Sequence, residues 1–152
     1  MNSSEALELD EVPKSLLVVG GGIIGLELGN VYSGLGSEVT VVEMTDALVP
    51  GADADLIKPL AARLNRDFKA IHTRTRVTHL EEVNNGIEVH YESNSQQFVE
   101  TFDRVLLAIG RRPNTDNITI ENTKVERNDR GFITVDAQMR TSDANIFAIG
   151  DA

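Results

Sequence analysis

Residues 15–43 constrain the fold of this chain more than any other stretch. SLLVV (15–19) is a short, unbroken apolar run, the pattern of a strand buried on both faces. GGGIIG (20–25) follows with no spacer. Ile24, Leu28, Val31 and Leu35 then fall on one helical face, and Gly34 and Gly36 end the pattern. EVTVVE (38–43) is a second, β-branched run. Strand, glycine turn, helix and strand in about thirty residues make a βαβ unit with parallel strands.

Gly20, Gly21, Gly22, Ile23, Ile24 and Gly25 match G-x-G-x-x-G, a weak pattern when alone. Here it leaves a buried strand, opens a helix, and has Glu43 about twenty residues on at the end of the next strand. That context defines the dinucleotide fingerprint. Gly20 permits the tight turn, Gly22 lets backbone approach a pyrophosphate, and Gly25 lets helix and strand pack closely. Gly29 eases the same packing. The helix start supplies free N–H groups and the positive end of a dipole. Glu43 is placed to accept from the hydroxyls of an adenosine ribose, and its charge opposes a 2′-phosphate, so NAD is favoured over NADP. The competing readings are structural: glycines serving only a turn, and a strand-end carboxylate. On the residues alone, Glu27 reads as a dipole-favoured surface acid, and Arg111 and Arg112 as a solvated turn.

The rest of the chain completes an α/β pattern. Residues 1–14 read as a polar lead-in. Residues 53–68 read as a helix with Leu56, Leu60 and Leu64 inward, capped by Asp53 or Asp55, with Pro59 a local distortion. KAIHT (69–73) is a third short strand. RVTHLEEV, GIEVHYES and QQFVETF form an antiparallel meander, with Asn85-Gly86 as the first hairpin turn and NSQ as the second. DRVLLAIG (103–110), FITVD (132–136) and NIFAIGD (145–151) read as further strands. The expected fold is a Rossmann-like FAD/NAD(P)-binding fold, with a parallel sheet, helices on one side and a three-stranded meander on the other. The expected divisions are a lead-in (1–14), a nucleotide-binding domain (15–114) and a returning segment (115–152).

The net charge of −10 argues against a nucleic-acid partner. No cysteine is present, so no disulfide, thiolate metal site or redox thiol lies in this chain. Three scattered His show no metal-ligand spacing, and no metal is expected. Residues 16–28 form the longest apolar stretch, which is glycine-rich and interrupted by Glu27, far from a membrane span. No basic signal segment precedes it. The expectation is a soluble, cytoplasmic protein.

LLVVGGGIIGLELG, VTVVEM, VLLAIGRRPNT and TSDANIFAIGDA, in this order, resemble the middle of the FAD-dependent pyridine nucleotide–disulfide oxidoreductases, in their dihydrolipoamide dehydrogenase branch. The resemblance implies that residues 20–24 hold the NAD pyrophosphate and Glu43 the adenosine ribose. It implies that Val77 contacts adenine through its backbone, that Gly110 and Arg111 line the nucleotide cleft, and that Glu27 faces the nicotinamide end. Asp151 matches the carboxylate that holds the ribityl chain of FAD. The chain then corresponds to a middle piece ending just past that contact, with the redox cysteine pair upstream and the catalytic His–Glu pair downstream. No catalytic residue is assigned here. The implied parent oxidises dihydrolipoyl groups and passes hydride through FAD to NAD⁺. It is implied to be a homodimer serving lipoyl domains of 2-oxo-acid dehydrogenase complexes or the glycine cleavage system. Two other readings stand beside it: a stand-alone NAD(H)-binding sensor, and the NAD domain of another flavoprotein disulfide reductase. The apolar tail is expected to pair with an edge of its own sheet or with a second molecule.

Overall fold

Every side chain of the first strand's centre is enclosed, because the strand is covered on both faces. In the computed structural model, β1 (Ser15–Val19) turns Leu16 and Val18 towards a helical layer and Leu17 and Val19 towards a second sheet. The structure describes residues 1–8, 10–93 and 96–152. Leu9, in the lead-in, and Asn94 and Ser95, in the second expected turn of the meander, lie outside the described residues.

β1 pairs in parallel with β2 (Glu38–Val42) on one side and β7 (Arg104–Leu107) on the other, and β2 pairs in parallel with β3 (Ala70–His72). The order is β3-β2-β1-β7. Val39 and Val41 share the helical side with Leu16, Val18 and Leu106, while Val42 and Val105 join Leu17 on the other. The antiparallel meander of β4 (Thr75–Val83), β5 (Gly86–Ser93) and β6 (Gln96–Phe102) lies over that second face. Val89, Tyr91 and Phe102 are its buried contribution. Tyr91 also donates to Glu100, and burial, with that carboxylate, pushes its phenol well above the ordinary range.

The contact line of α2 (Ile23–Gly34) differs from the one its apolar spacing implies. Gly25, Leu26, Leu28, Gly29 and Tyr32 are buried, whereas Val31 and Leu35 are half exposed. The glycines explain the rotation. A Cβ at Gly29 would stand 3.2 Å from Phe68 Cζ and 3.5 Å from both Val18 and Val39, so the bare backbone is the surface laid on the sheet. α3 (Ala54–Asp67) buries Leu64 and packs Ile57, Leu60 and Ala61 against the same core, leaving Leu56 exposed. Asp53 is at its N-cap without a side-chain cap bond, and Pro59 lies on the solvent side without ending the helix.

The lead-in contains a helix, α1 (Ser3–Glu8). Its Ala6 is buried, and Ala6 O accepts from Tyr32 Oη at 2.8 Å. Six polar-rich residues carry too little periodicity to reveal it.

The first hairpin turns one residue earlier than Asn85-Gly86 suggests. Asn84 and Asn85 form the loop, and Gly86 pairs with Val83. Gly86 has φ +141°, and a Cβ there would approach Phe102 O to 2.5 Å. The shift moves each cross-strand partner by two residues.

Residues 1–109 and 110–152 form two compact units. FITVD and NIFAIGD, expected as strands in the second unit, have only isolated bridges, Arg127 with Ile133 and Arg140 with Phe147. Local side-chain acceptors take the Phe132 amide and several amides of the adjoining turns. Asn128 Oδ1 accepts from Arg130 and Phe132, and Asp136 Oδ1 from Gln138 and Arg140. Phe147 and Ile149 are 61% and 80% exposed. Asp136 is held below the ordinary carboxylate range, first by the Arg140 amide.

Replacing Gly86 by Ala forces a Cβ against a carbonyl at a strained φ. Its expected cost is about 1–3 kcal/mol, read as a lower urea midpoint.

Candidate functional site: a glycine loop tied to a buried glutamate

The loop after β1 is shaped by three backbone bonds. Gly20 N–H donates to Val42 O, Ala108 N–H to Val19 O, and Val49 N–H to Gly21 O, each at 2.8 Å. Gly20 turns at φ +110°, and a Cβ there would stand 2.4 Å from Ala108 O. A Cβ at Gly25 would be 2.2 Å from Gly20 O. Those two glycines are required by contact within the protein. Gly22 differs, because nothing lies within 4 Å of its Cβ position. It is the N-cap of α2, and no side chain caps that end. Leu26 N–H makes the first helical bond, to Gly22 O at 3.0 Å, so the amides before it precede the helical ladder. The result is an open cradle of main-chain N–H donors at the positive end of a twelve-residue helix.

Glu43 closes the back of this loop and is only 8% exposed. Its Oε2 accepts from Gly21 N–H at 2.7 Å, and its Oε1 from Thr45 N–H at 2.7 Å and Thr45 Oγ1 at 2.8 Å. Burial pushes its pKa up, but the Thr45 and Gly21 bonds outweigh that, and the carboxyl is held below the ordinary Glu range. Two acceptor sites per carboxylate oxygen leave capacity for a further hydroxyl donor. Thr45 has no counterpart in the sequence reading. A hydroxyl residue two places after a strand-end acid is the signal that could have found it.

The chain matches the family described as pyridine nucleotide-disulphide oxidoreductase over residues 1–152. It belongs to that family. Among curated relatives it is 49% identical, over 150 residues, to a dihydrolipoyl dehydrogenase of Haemophilus influenzae. It is 50% identical, over 151 residues, to that of Vibrio parahaemolyticus and 41% identical, again over 151, to that of Geobacillus stearothermophilus. Each match covers 99% of this chain and 31% or 32% of the relative, so the chain spans about a third of their length. The HOCl-induced flavoprotein disulfide reductase RclA from Escherichia coli matches with TM-score 0.80 and 32% identity, covering 99% of this chain and 34% of that one. LpdA from Mycobacterium tuberculosis gives 0.79 and 28%, covering 99% and 32%.

Within this chain, Gly20, Gly21, Gly22, Ile23, Ile24, Gly25 and Glu43 are brought together. Val77 follows two residues after Thr75, whose N–H donates to Glu43 O at 2.9 Å, so its strand starts beside the glutamate. Val77 itself is partly buried on the meander's inner face. Glu27 is exposed and lines an open cleft between α2 and α3 with Ile23, Asn30 and Arg63. Gly110, Arg111 and Asp151 belong to the second unit. There Arg111 forms an ion pair with Asp151, and Asn114 N–H donates to Asp151 O at 3.0 Å.

Glu43 needs two acceptor oxygens, so Glu43→Gln sets an amide NH₂ against the N–H of Gly21 or Thr45 whichever way it is turned. The expected cost at neutral pH is about 1–3 kcal/mol. A depressed carboxyl pKa adds stability that is complete above the ordinary Glu value near 4.3 and is lost as pH falls through the folded-state value. The gap in melting temperature between wild type and variant should therefore narrow below about pH 4.3. A gap independent of pH would show that the charge is not what the loop uses.

Proposed function

We propose that this chain is the NAD(H)-binding part of a flavoprotein dihydrolipoyl dehydrogenase. The observation that carries this is the open N–H cradle at Gly22 beside the buried, ionised Glu43. The donors suit pyrophosphate oxygens, and the Gly22 side is free of the Cβ that would fill it. Glu43 would then accept from the adenosine ribose while Gly21 and Thr45 hold it in place, and a 2′-phosphate would meet its charge. NAD is accordingly the preferred dinucleotide. When bound, the nicotinamide supplies hydride acceptance, and in the parent the flavin of FAD supplies the hydride.

This chain's own residues bind and orient. Gly20 to Gly25 would fix the pyrophosphate, Glu43 the adenosine end, and Val77 the adenine. Glu27 serves the nicotinamide end, and Asp151 serves the flavin in the parent. The chain contains no cysteine, so dithiol oxidation requires the rest of the parent, and the chain alone binds nucleotide without turnover. Identities of 49% and 50% to dihydrolipoyl dehydrogenases, against 32% to RclA, favour this branch over another disulfide reductase. The parent is proposed to act as a cytoplasmic homodimer on lipoyl domains of 2-oxo-acid dehydrogenase complexes or the glycine cleavage system.

Calorimetric titration with NAD⁺, NADH and their 2′-phosphorylated forms tests the reading. NAD(H) should bind with a dissociation constant between about 10 µM and 1 mM, and NADP(H) roughly tenfold or more weakly. Glu43→Ala should weaken NAD(H) and erase the preference. Equal affinity for both dinucleotides in the wild type would remove Glu43 from the ribose role.

A further inference from the structure

The segment that follows Glu43 runs beside the corner between β3 and β4, and main-chain bonds join the two. Glu43 N–H donates to His72 O at 2.8 Å, Arg74 N–H to Thr45 O at 2.7 Å, and Thr75 N–H to Glu43 O at 2.9 Å. Thr45 is also the residue whose N–H and hydroxyl hold Glu43 Oε1. Arg74 is therefore fixed, through its backbone, to the loop that carries the site's carboxylate. Its side chain meets a second acid of that loop: Arg74 Nη2 is 3.7 Å from Asp46 Oδ2. Both side chains face solvent, at 69% and 71% exposure. An ion pair this exposed contributes little to stability. What it does change is the charge available beside Glu43.

The choice between dinucleotides turns on such a charge. An acid near the adenosine ribose suits its hydroxyls, and an Arg nearby accommodates a 2′-phosphate. This corner holds both kinds of residue. A guanidinium presents a planar fork of donors that fits phosphate oxygens. A free Arg74 would offset the repulsion that Glu43 exerts on a 2′-phosphate. Asp46, three residues after Glu43, removes that offset by engaging the guanidinium. Selectivity of this kind needs an element that works against the wrong ligand, beyond contacts to the right one.

We propose that Asp46 is a second determinant of the preference for NAD(H): by pairing with Arg74 it denies that guanidinium to a 2′-phosphate. The proposal rests on the reading of Glu43 as the ribose residue. The two acids then have different tasks. Glu43 accepts from the ribose and repels the phosphate, and Asp46 occupies the cation that would otherwise receive it.

The test is chemical-shift titration of the full chain with NAD⁺ and NADP⁺, a measurement that reads weak dissociation constants. Asp46→Asn should tighten NADP⁺ about fivefold or more, while NAD⁺ changes by less than about twofold. Adding Arg74→Gln to Asp46→Asn should return NADP⁺ to its wild-type affinity, because the gain runs through the guanidinium. That double variant separates a freed Arg from the mere loss of a negative charge, whose effect would persist without Arg74. NADP⁺ binding by Asp46→Asn within about twofold of wild type would overturn the proposal. So would a gain that survives Arg74→Gln. A wild type that prefers NAD⁺ beside a silent Asp46→Asn removes Asp46 alone and leaves the role of Glu43 standing. A wild type with equal affinity for both dinucleotides, or with none for either, overturns the reading of Glu43 and this proposal with it.

Discussion

Glu43 is where three parts of the first unit are joined. Its main chain extends the sheet edge, donating to His72 O and accepting from Thr75 N–H, so the parallel sheet passes into the meander at this residue. Its side chain reaches Gly21 and Thr45. A carboxylate at 8% exposure is tolerable only because each oxygen is paired. The same pairing keeps it ionised and fixes Gly21. Loop shape, site charge and strand exit thus rest on one residue, the first two through its side chain and the third through its main chain.

The division of labour among the glycines follows from this arrangement. Gly20 and Gly25 are needed by neighbouring backbone, as their Cβ positions would overlap carbonyl oxygens. Gly22 meets no such obstacle, so its bareness leaves room on the outside. A turn built for folding alone would need the first two and not the third. That asymmetry leaves the outer side of the loop open, as the proposed pyrophosphate site requires.

The βαβ unit, the meander, the glycine turn and the strand-end position of Glu43 were legible because each has a strong local pattern, whereas the Gly21–Glu43 bond was not. The facing of α2 was not, since apolar spacing locates side chains and the sheet here meets the helix along Gly25 and Gly29. The strands expected around Phe132 and Phe147 failed for another reason. Their composition is strand-like, but Asn128 and Asp136 capture nearby amides, and propensity does not weigh that competition. Thr45 escaped notice because its role depends on where the Glu43 carboxylate turns.

The pairing of β1 with β7 has a consequence for how the molecule comes into being. Ser15 and Asp103, bonded at the start of these strands, are 88 residues apart in the chain. The carbonyl behind Gly20 is that of Ala108. The hairpins of the meander close over short distances and can form early, whereas this closure is long and comes at a high entropic cost. A nascent chain therefore holds its glycine loop without the wall that shapes it until residue 108 has been made. The loop reaches its final form only after residue 108 has left the ribosome.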